Sequence, residues 1–194
     1  FGWTLDSDPG WAISGGEWAF GQPAGLGGDS YGSPDPSSGH TGSYVYGVNL
    51  NGDYSLTPAG PHYVTLGPLD MTDMTEISVR YYRQLNTDYV PYTYATVDVS
   101  SDGSSWETLW SNGELAMNES TWTAVTHAVP AAYDDAATFY VRWGYKVNSF
   151  AFAYSGWNFD DVQIYGLDTS APPAVGDLNC DGTVDLFDID PFVL

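Results

Sequence analysis

Thr138-Phe-Tyr-Val-Arg-Trp-Gly-Tyr-Lys146 alternates between two kinds of side chain. Phe139, Val141, Trp143 and Tyr145 fall on one side of an extended backbone, opposite Thr138, Tyr140, Arg142 and Lys146. Successive side chains of a strand point to opposite faces, so this period-two pattern predicts a strand with one buried face. The same pattern recurs in Thr75–Tyr82, where Ile77, Val79 and Tyr81 oppose Glu76, Ser78 and Arg80. In Tyr94–Ser100 the inward set is Ala95, Val97 and Val99. Further strand candidates are Glu17–Phe20, Ser43–Val48, His62–Leu66, Trp106–Trp110, Thr121–Val129 and Asp161–Tyr165. Helical periodicity is nearly absent. Short strands of this number, separated by turn residues, predict an all-β chain built as an antiparallel jelly-roll β-sandwich.

Turn chemistry supports that reading. Asp102-Gly103, between the strands ending near Ser101 and starting at Trp106, predicts a tight hairpin, because Asp-Gly accommodates positive φ. Gly21–Gly42 is rich in Gly, Pro, Ser and Asp and reads as a long surface loop of the kind that often carries function. Asp168–Ala174 contains Pro172-Pro173 and reads as a stiff linker. It divides the chain into a sandwich over 1–167, a linker over 168–174 and a C-terminal segment over 175–194.

Charge narrows the function. Among 194 residues, four Lys and Arg face 25 Asp and Glu, a formal net charge of −21. Such a surface repels phosphate backbones, which argues against nucleic acid and against anionic membranes. No apolar run is long enough to predict membrane insertion. Cys180 is the single cysteine, so no internal disulfide can form. Eight Trp and fifteen Tyr supply ample material for a packed core.

The C-terminal segment carries the most specific motif. In Asp177-Leu-Asn-Cys-Asp-Gly-Thr-Val-Asp-Leu-Phe-Asp188, oxygen-bearing side chains recur at alternate positions: Asp177, Asn179, Asp181, then Asp185 and Asp188. Gly182 stands where a sharp turn is needed, and Thr183 offers its backbone carbonyl. Calcium takes six to eight hard oxygens, and this spacing converges four carboxylates and one amide on one point. The predicted cofactor is Ca2+. The segment resembles a single type I dockerin repeat, with Asp188–Leu194 opening the following helix. Dockerins carry two such repeats and bind a cohesin partner; the one repeat seen here departs from that pattern. The tail residues Phe187, Ile189, Phe192, Val193 and Leu194 form an apolar set suited to binding a partner, including another copy of the chain. Head-to-tail contacts of that kind would propagate as a filament or surface layer.

The sandwich has its own resemblance. Gly10-Trp11, Trp18-x-x-Gly21-x-Pro23, Gly42-x-x-x-x-Gly47, Tyr54, Ser101-Asp102-Gly103-x-x-Trp106 and Gly156-Trp-Asn-Phe-Asp-Asp-Val162 resemble jelly-roll modules of the MAM and immune-inhibitor-A type. Such modules are secreted and are typically adhesive, structural or carbohydrate-binding. That resemblance implies an extracellular or cell-surface location and a non-catalytic role. It also implies a calcium ion tying the last strand to an early one, with Asp160, Asp161 and Glu17 as metal ligands. Tyr82, Tyr89, Tyr92 and Tyr94 are candidate glycan-stacking residues, since aromatic faces pack against the apolar face of a pyranose.

Enzyme motifs do not hold up. Gly28-Asp-Ser-Tyr-Gly32 matches Gly-x-Ser-x-Gly, but that elbow needs a strand before it and a helix after it. His40, His62 and His127 have no metal-ligand spacing. The leading expectation is a secreted, calcium-binding structural or adhesion module. The alternative is a carbohydrate-binding module of a larger secreted hydrolase, with polysaccharide as partner.

Overall fold

The computed structural model describes residues 1–170. They form twelve strands in two antiparallel sheets. The strands are β1 (Gly2–Trp3), β2 (Ala12–Ile13), β3 (Trp18–Gly21), β4 (Val45–Val48), β5 (Ala59–Leu69) and β6 (Met74–Thr87). They continue as β7 (Thr93–Ser100), β8 (Glu107–Ser111), β9 (Met117–Asn118), β10 (Thr123–Ala128), β11 (Phe139–Val147) and β12 (Gly156–Asp168). One sheet runs β10-β6-β12-β4-β3, with β1 added to β12 and β9 to β6; the other runs β2-β5-β11-β7-β8.

The alternating stretches become the walls of the core. Ile77, Val79 and Tyr81 from β6 and Ala95, Val97 and Val99 from β7 are all buried. Phe139, Val141, Trp143 and Tyr145 from β11 complete the facing layer. Trp143 stacks on Phe159 of β12 at 4.4 Å between ring centroids, and Trp11 stacks on both Trp143 and Tyr46. These rings join the two sheets, with Trp143, Tyr46 and Phe159 among the large side chains that are fully buried.

The predicted tight hairpin is corrected. β7 ends at Ser100 and β8 begins at Glu107, so six residues connect them. Gly103 has the positive φ, +71°, while the Asp102 side chain accepts the amides of Ser104 and Ser105 at 2.7 Å each. Those bonds stabilise a wider loop than a two-residue turn, and they hold the Asp102 carboxyl below its usual range. The wider loop has a consequence for function, because Trp106 at its end packs toward β11 beside Tyr140.

The two outer sheet faces differ. Gly21–Gly42 runs across the outer side of the seven-stranded sheet and is fastened there. Ser33 N donates to Asn86 Oδ1, Gln84 Nε2 donates to Pro34 O, Asn158 Nδ2 donates to Asp35 Oδ1, and Thr41 N donates to Asp160 Oδ2. Among the described residues, no comparable segment covers the middle of the five-stranded sheet. Its outward Tyr63, Tyr94, Thr96, Tyr140, Arg142 and Lys146 are half-exposed, while Asp98 beneath them is buried.

Candidate functional site

The open face is built in rungs across three neighbouring strands. The register sets Lys146 of β11 beside Tyr94 of β7, Gly144 between Tyr63 and Thr96, and Arg142 between Thr65 and Asp98. Tyr140 stands beside Ser100 at the far end. With a strand rise of about 3.3 Å per residue, Tyr140 to Lys146 spans roughly 20 Å. A depression of about 270 Å³ lies in this face, with Tyr63, Tyr94, Gly144 and Lys146 around it.

Each part of the floor is fixed by a neighbour. Arg142 Nε donates to Asp98 Oδ2 at 2.9 Å, and its guanidinium lies 3.7 Å from the Tyr63 ring and 4.0 Å from the Trp106 ring. Asp98 is buried and also accepts Thr108 Oγ1 at 2.7 Å. Cation–π contact and a charge-assisted bond therefore hold two aromatic rings in fixed poses before any ligand arrives. Gly144 is required for this arrangement. A Cβ there would come within 2.6 Å of both the Tyr63 ring and Thr96 Oγ1. Without that side chain, Tyr63 can lie across β11. Lys146 Nζ sits 5.6 Å from the centre of the Tyr94 ring.

Such a surface combines rings, hydroxyls and charged groups in one shallow trough. Aromatic faces beside a few fixed polar groups are what an oriented, partly apolar ligand needs. Ser30 of the Gly-x-Ser-x-Gly sequence is exposed in the covering segment, with neither a strand before it nor a helix after it.

The four tyrosines named from sequence do not form one platform. Tyr94 alone belongs to the open face. Tyr82 lies on the seven-stranded sheet, its ring stacked at 3.5 Å on His40 of the covering segment. Tyr89 and Tyr92 pack edge to face at 5.1 Å in the connection between β6 and β7. Neighbours in sequence were separated because alternate residues of a strand leave on opposite faces and β6 and β7 belong to different sheets. Tyr63, Trp106, Arg142 and Lys146 escaped the sequence reading as a group. Their signal was present in the polar face of Thr138–Lys146, but the residues opposite it required the strand register.

The sandwich carboxylates named as metal ligands are also placed apart. Glu17 is exposed and accepts Ser55 N through Oε2 at 2.8 Å. Asp160 is fully buried, with Oδ1 accepting Asp161 N and Oδ2 accepting Thr41 N. Burial is the main cause that raises its carboxyl to about 6, opposed by those amide bonds. Asp161 holds His40 and Thr41 Oγ1. Together Asp160 and Asp161 fasten the covering segment, and Glu17 does not join them. Among the described residues, no three His, Cys, Asp or Glu side chains converge as a metal cage. The predicted calcium loop (Asp177, Asn179, Asp181, Thr183, Asp185, Asp188) and the apolar tail (Phe187, Ile189, Phe192, Val193, Leu194) lie outside the described residues.

The class defined by fold and site is an antiparallel β-sandwich with one roofed sheet face and one open, aromatic-lined face. No family model and no curated protein matches the chain. Among solved structures, it is similar to TmCBM61, determined in complex with beta-1,4-galactotriose, at 10% identity over 82% of this chain and 90% of that one, with a TM-score of 0.49. It is also similar to the CBM22-1 xylan-binding domain of Paenibacillus barcinonensis Xyn10C, at 13% identity over 88% and 95%, with a TM-score of 0.49. A third is the K3 cleaved adhesin domain of Lys-gingipain from Porphyromonas gingivalis, at 14% identity over 79% and 94%, with a TM-score of 0.45.

Proposed function

We propose that this chain is a non-catalytic, extracellular carbohydrate-binding module whose ligand lies across the outer face of the five-stranded sheet. The observation that supports this is the prearranged row of Tyr63, Trp106 and Tyr94 around Arg142 and Gly144. Tyr63 and Trp106, held by the partly buried Arg142–Asp98 ion pair, lose little freedom when a pyranose packs beside them, and nearby hydroxyl and charged groups can take its hydroxyls. We also infer that Asp177–Asp188 takes calcium, on the strength of its oxygen spacing.

The test is affinity electrophoresis of the chain through gels containing individual polysaccharides, covering xylans, galactans, glucans and acidic polymers. At least one gel should retard the protein. Tyr94→Ala should weaken that retardation by about tenfold in Kd, equivalent to about 1.4 kcal/mol. Free migration in every gel would sink the proposal.

A further inference from the structure

The open face is electrically unlike the rest of the molecule. The whole chain has four basic residues and 25 acidic ones. Two of the four, Arg142 and Lys146, line the depression, while Asp98 is the one carboxylate there. Asp98 is already engaged, with Oδ2 on Arg142 Nε and Oδ1 on Thr108. The residual charge of the trough is therefore positive on a chain whose total is −21.

The two cations have different duties. Arg142 packs against two rings and is bonded to a buried carboxylate, so it serves as a strut for Tyr63 and Trp106. Lys146 lies four residues along β11, roughly 13 Å away, at the other end of the depression. Among the described residues it has no carboxylate within ion-pair distance. Its ammonium stands near the Tyr94 ring, beside the place where a stacked sugar would lie. A neutral sugar would gain a hydrogen bond there; a sugar carboxylate would gain a charge-assisted one. The surrounding negative surface also disfavours a densely charged polyanion, so one carboxylate at this position is the better fit.

We infer that the glycan recognised at this face carries a uronic acid, with its carboxylate received by Lys146 and its ring stacked on Tyr94. This inference rests on the carbohydrate-binding reading and adds a substrate class to it. It is also specific about geometry, because the charge is read at the Lys146 end and not at Arg142.

The experiment pairs each acidic polymer with its own carboxyl-reduced form, which keeps the backbone and linkage but removes the charge. Glucuronoxylan, whose carboxylates are spaced apart, is the deciding probe, with densely charged polygalacturonate and alginate as controls beside neutral xylan and galactan, and affinity is measured by calorimetry in 50 mM and 500 mM NaCl. The expected result is a preference of about fivefold for an acidic polymer over its reduced form at low salt, fading at high salt. Lys146→Met keeps the aliphatic stem and should abolish the preference, with only a small loss for the reduced form, which gives up a neutral hydrogen bond where the acidic form gives up a charge-assisted one. Lys146→Arg should retain it. Equal binding of acidic and reduced forms, or a preference that survives Lys146→Met, would overturn the uronate assignment and leave glycan binding standing. Absence of binding to every polymer, acidic or neutral, would overturn both.

Discussion

Asp35 offers a direct check on how the covering segment is held. It is 4% exposed, and Asn158 opposite it is 1% exposed. Asn158 Nδ2 donates to Asp35 Oδ1 at 2.7 Å, yet Asp35 Oδ2 and Asn158 Oδ1 both lack a donor. Two buried acceptors belong to the same pair of groups, and a proton on Asp35 is the donor the pair lacks. Burial is the main cause that lifts the Asp35 carboxyl to about 7; the Asn158 bond opposes it and the Asp53 charge adds to it. In the unfolded chain an aspartate ionises near 3.9. Between those values the native state holds a proton that the unfolded state has released, so the stability fully present below about 4 is lost progressively as pH rises to about 7. With the carboxyl raised from the ordinary aspartate range to about 7, the ceiling on the cost of ionising Asp35 in the fold is roughly 4 kcal/mol. Asp35→Asn supplies an N–H donor at every pH. It should raise stability at pH 8 by about 1–3 kcal/mol, with little gain near pH 3, where Asp35 is protonated in both states. Thermal unfolding followed by circular dichroism at both pH values would show a Tm increase of about 2–4 °C per kcal/mol at pH 8. Asp160 also titrates, near 6, but it is present in both proteins and drops out of the difference. A lower Tm for the variant at pH 8, or the same change at both pH values, would refute the reasoning.

Two other expectations follow from named contacts. Asp98→Ala removes the partner of Arg142 and the acceptor of Thr108, and should cost about 3 kcal/mol in urea unfolding. It should also loosen Tyr63 and Trp106, so weaker glycan binding must accompany the loss; a stable variant with full affinity would contradict the strut role. The Asp177–Asp188 loop, read from sequence, should take one calcium by calorimetry. Asp181→Ala should abolish that heat, and unchanged calcium binding would dismiss the loop as the site.

Much of the sandwich was legible because burial on one face writes a period of two into the sequence. Ile77, Val79 and Tyr81, or Phe139 through Tyr145, could not be mistaken for another element. Boundaries were harder to read. β5 runs from Ala59 to Leu69, longer at both ends than the His62–Leu66 strand expected, because it continues through Gly60-Pro61 and Gly67-Pro68, residue types that ordinarily interrupt strands. β6 continues to Thr87 because Gln84 and Asn86, polar and outward, are roofed by the covering segment and bonded to it. β1, β2 and β9 are two residues each, too short to carry a pattern.

The site was less legible than the fold. Tyr63, Tyr94 and Lys146 come from β5, β7 and β11, and Trp106 comes from a connection whose width was misjudged. No local window contains them together. Sequence proximity instead suggested Tyr82 through Tyr94, which the fold distributes over two sheets. Half of the information was nonetheless visible in Thr138–Lys146, whose outward residues include the strut Arg142 and the end cation Lys146.

The most direct test of the central claim is backbone chemical-shift mapping during titration with an oligosaccharide of whichever polymer retards the protein. The account predicts perturbations concentrated at Tyr63, Tyr94, Thr96, Gly144 and Lys146, with the Trp106 indole shifting and the covering segment Gly21–Gly42 unchanged. Perturbations clustered instead around His40, Tyr82 and Asp161 would place the ligand on the roofed sheet and contradict it.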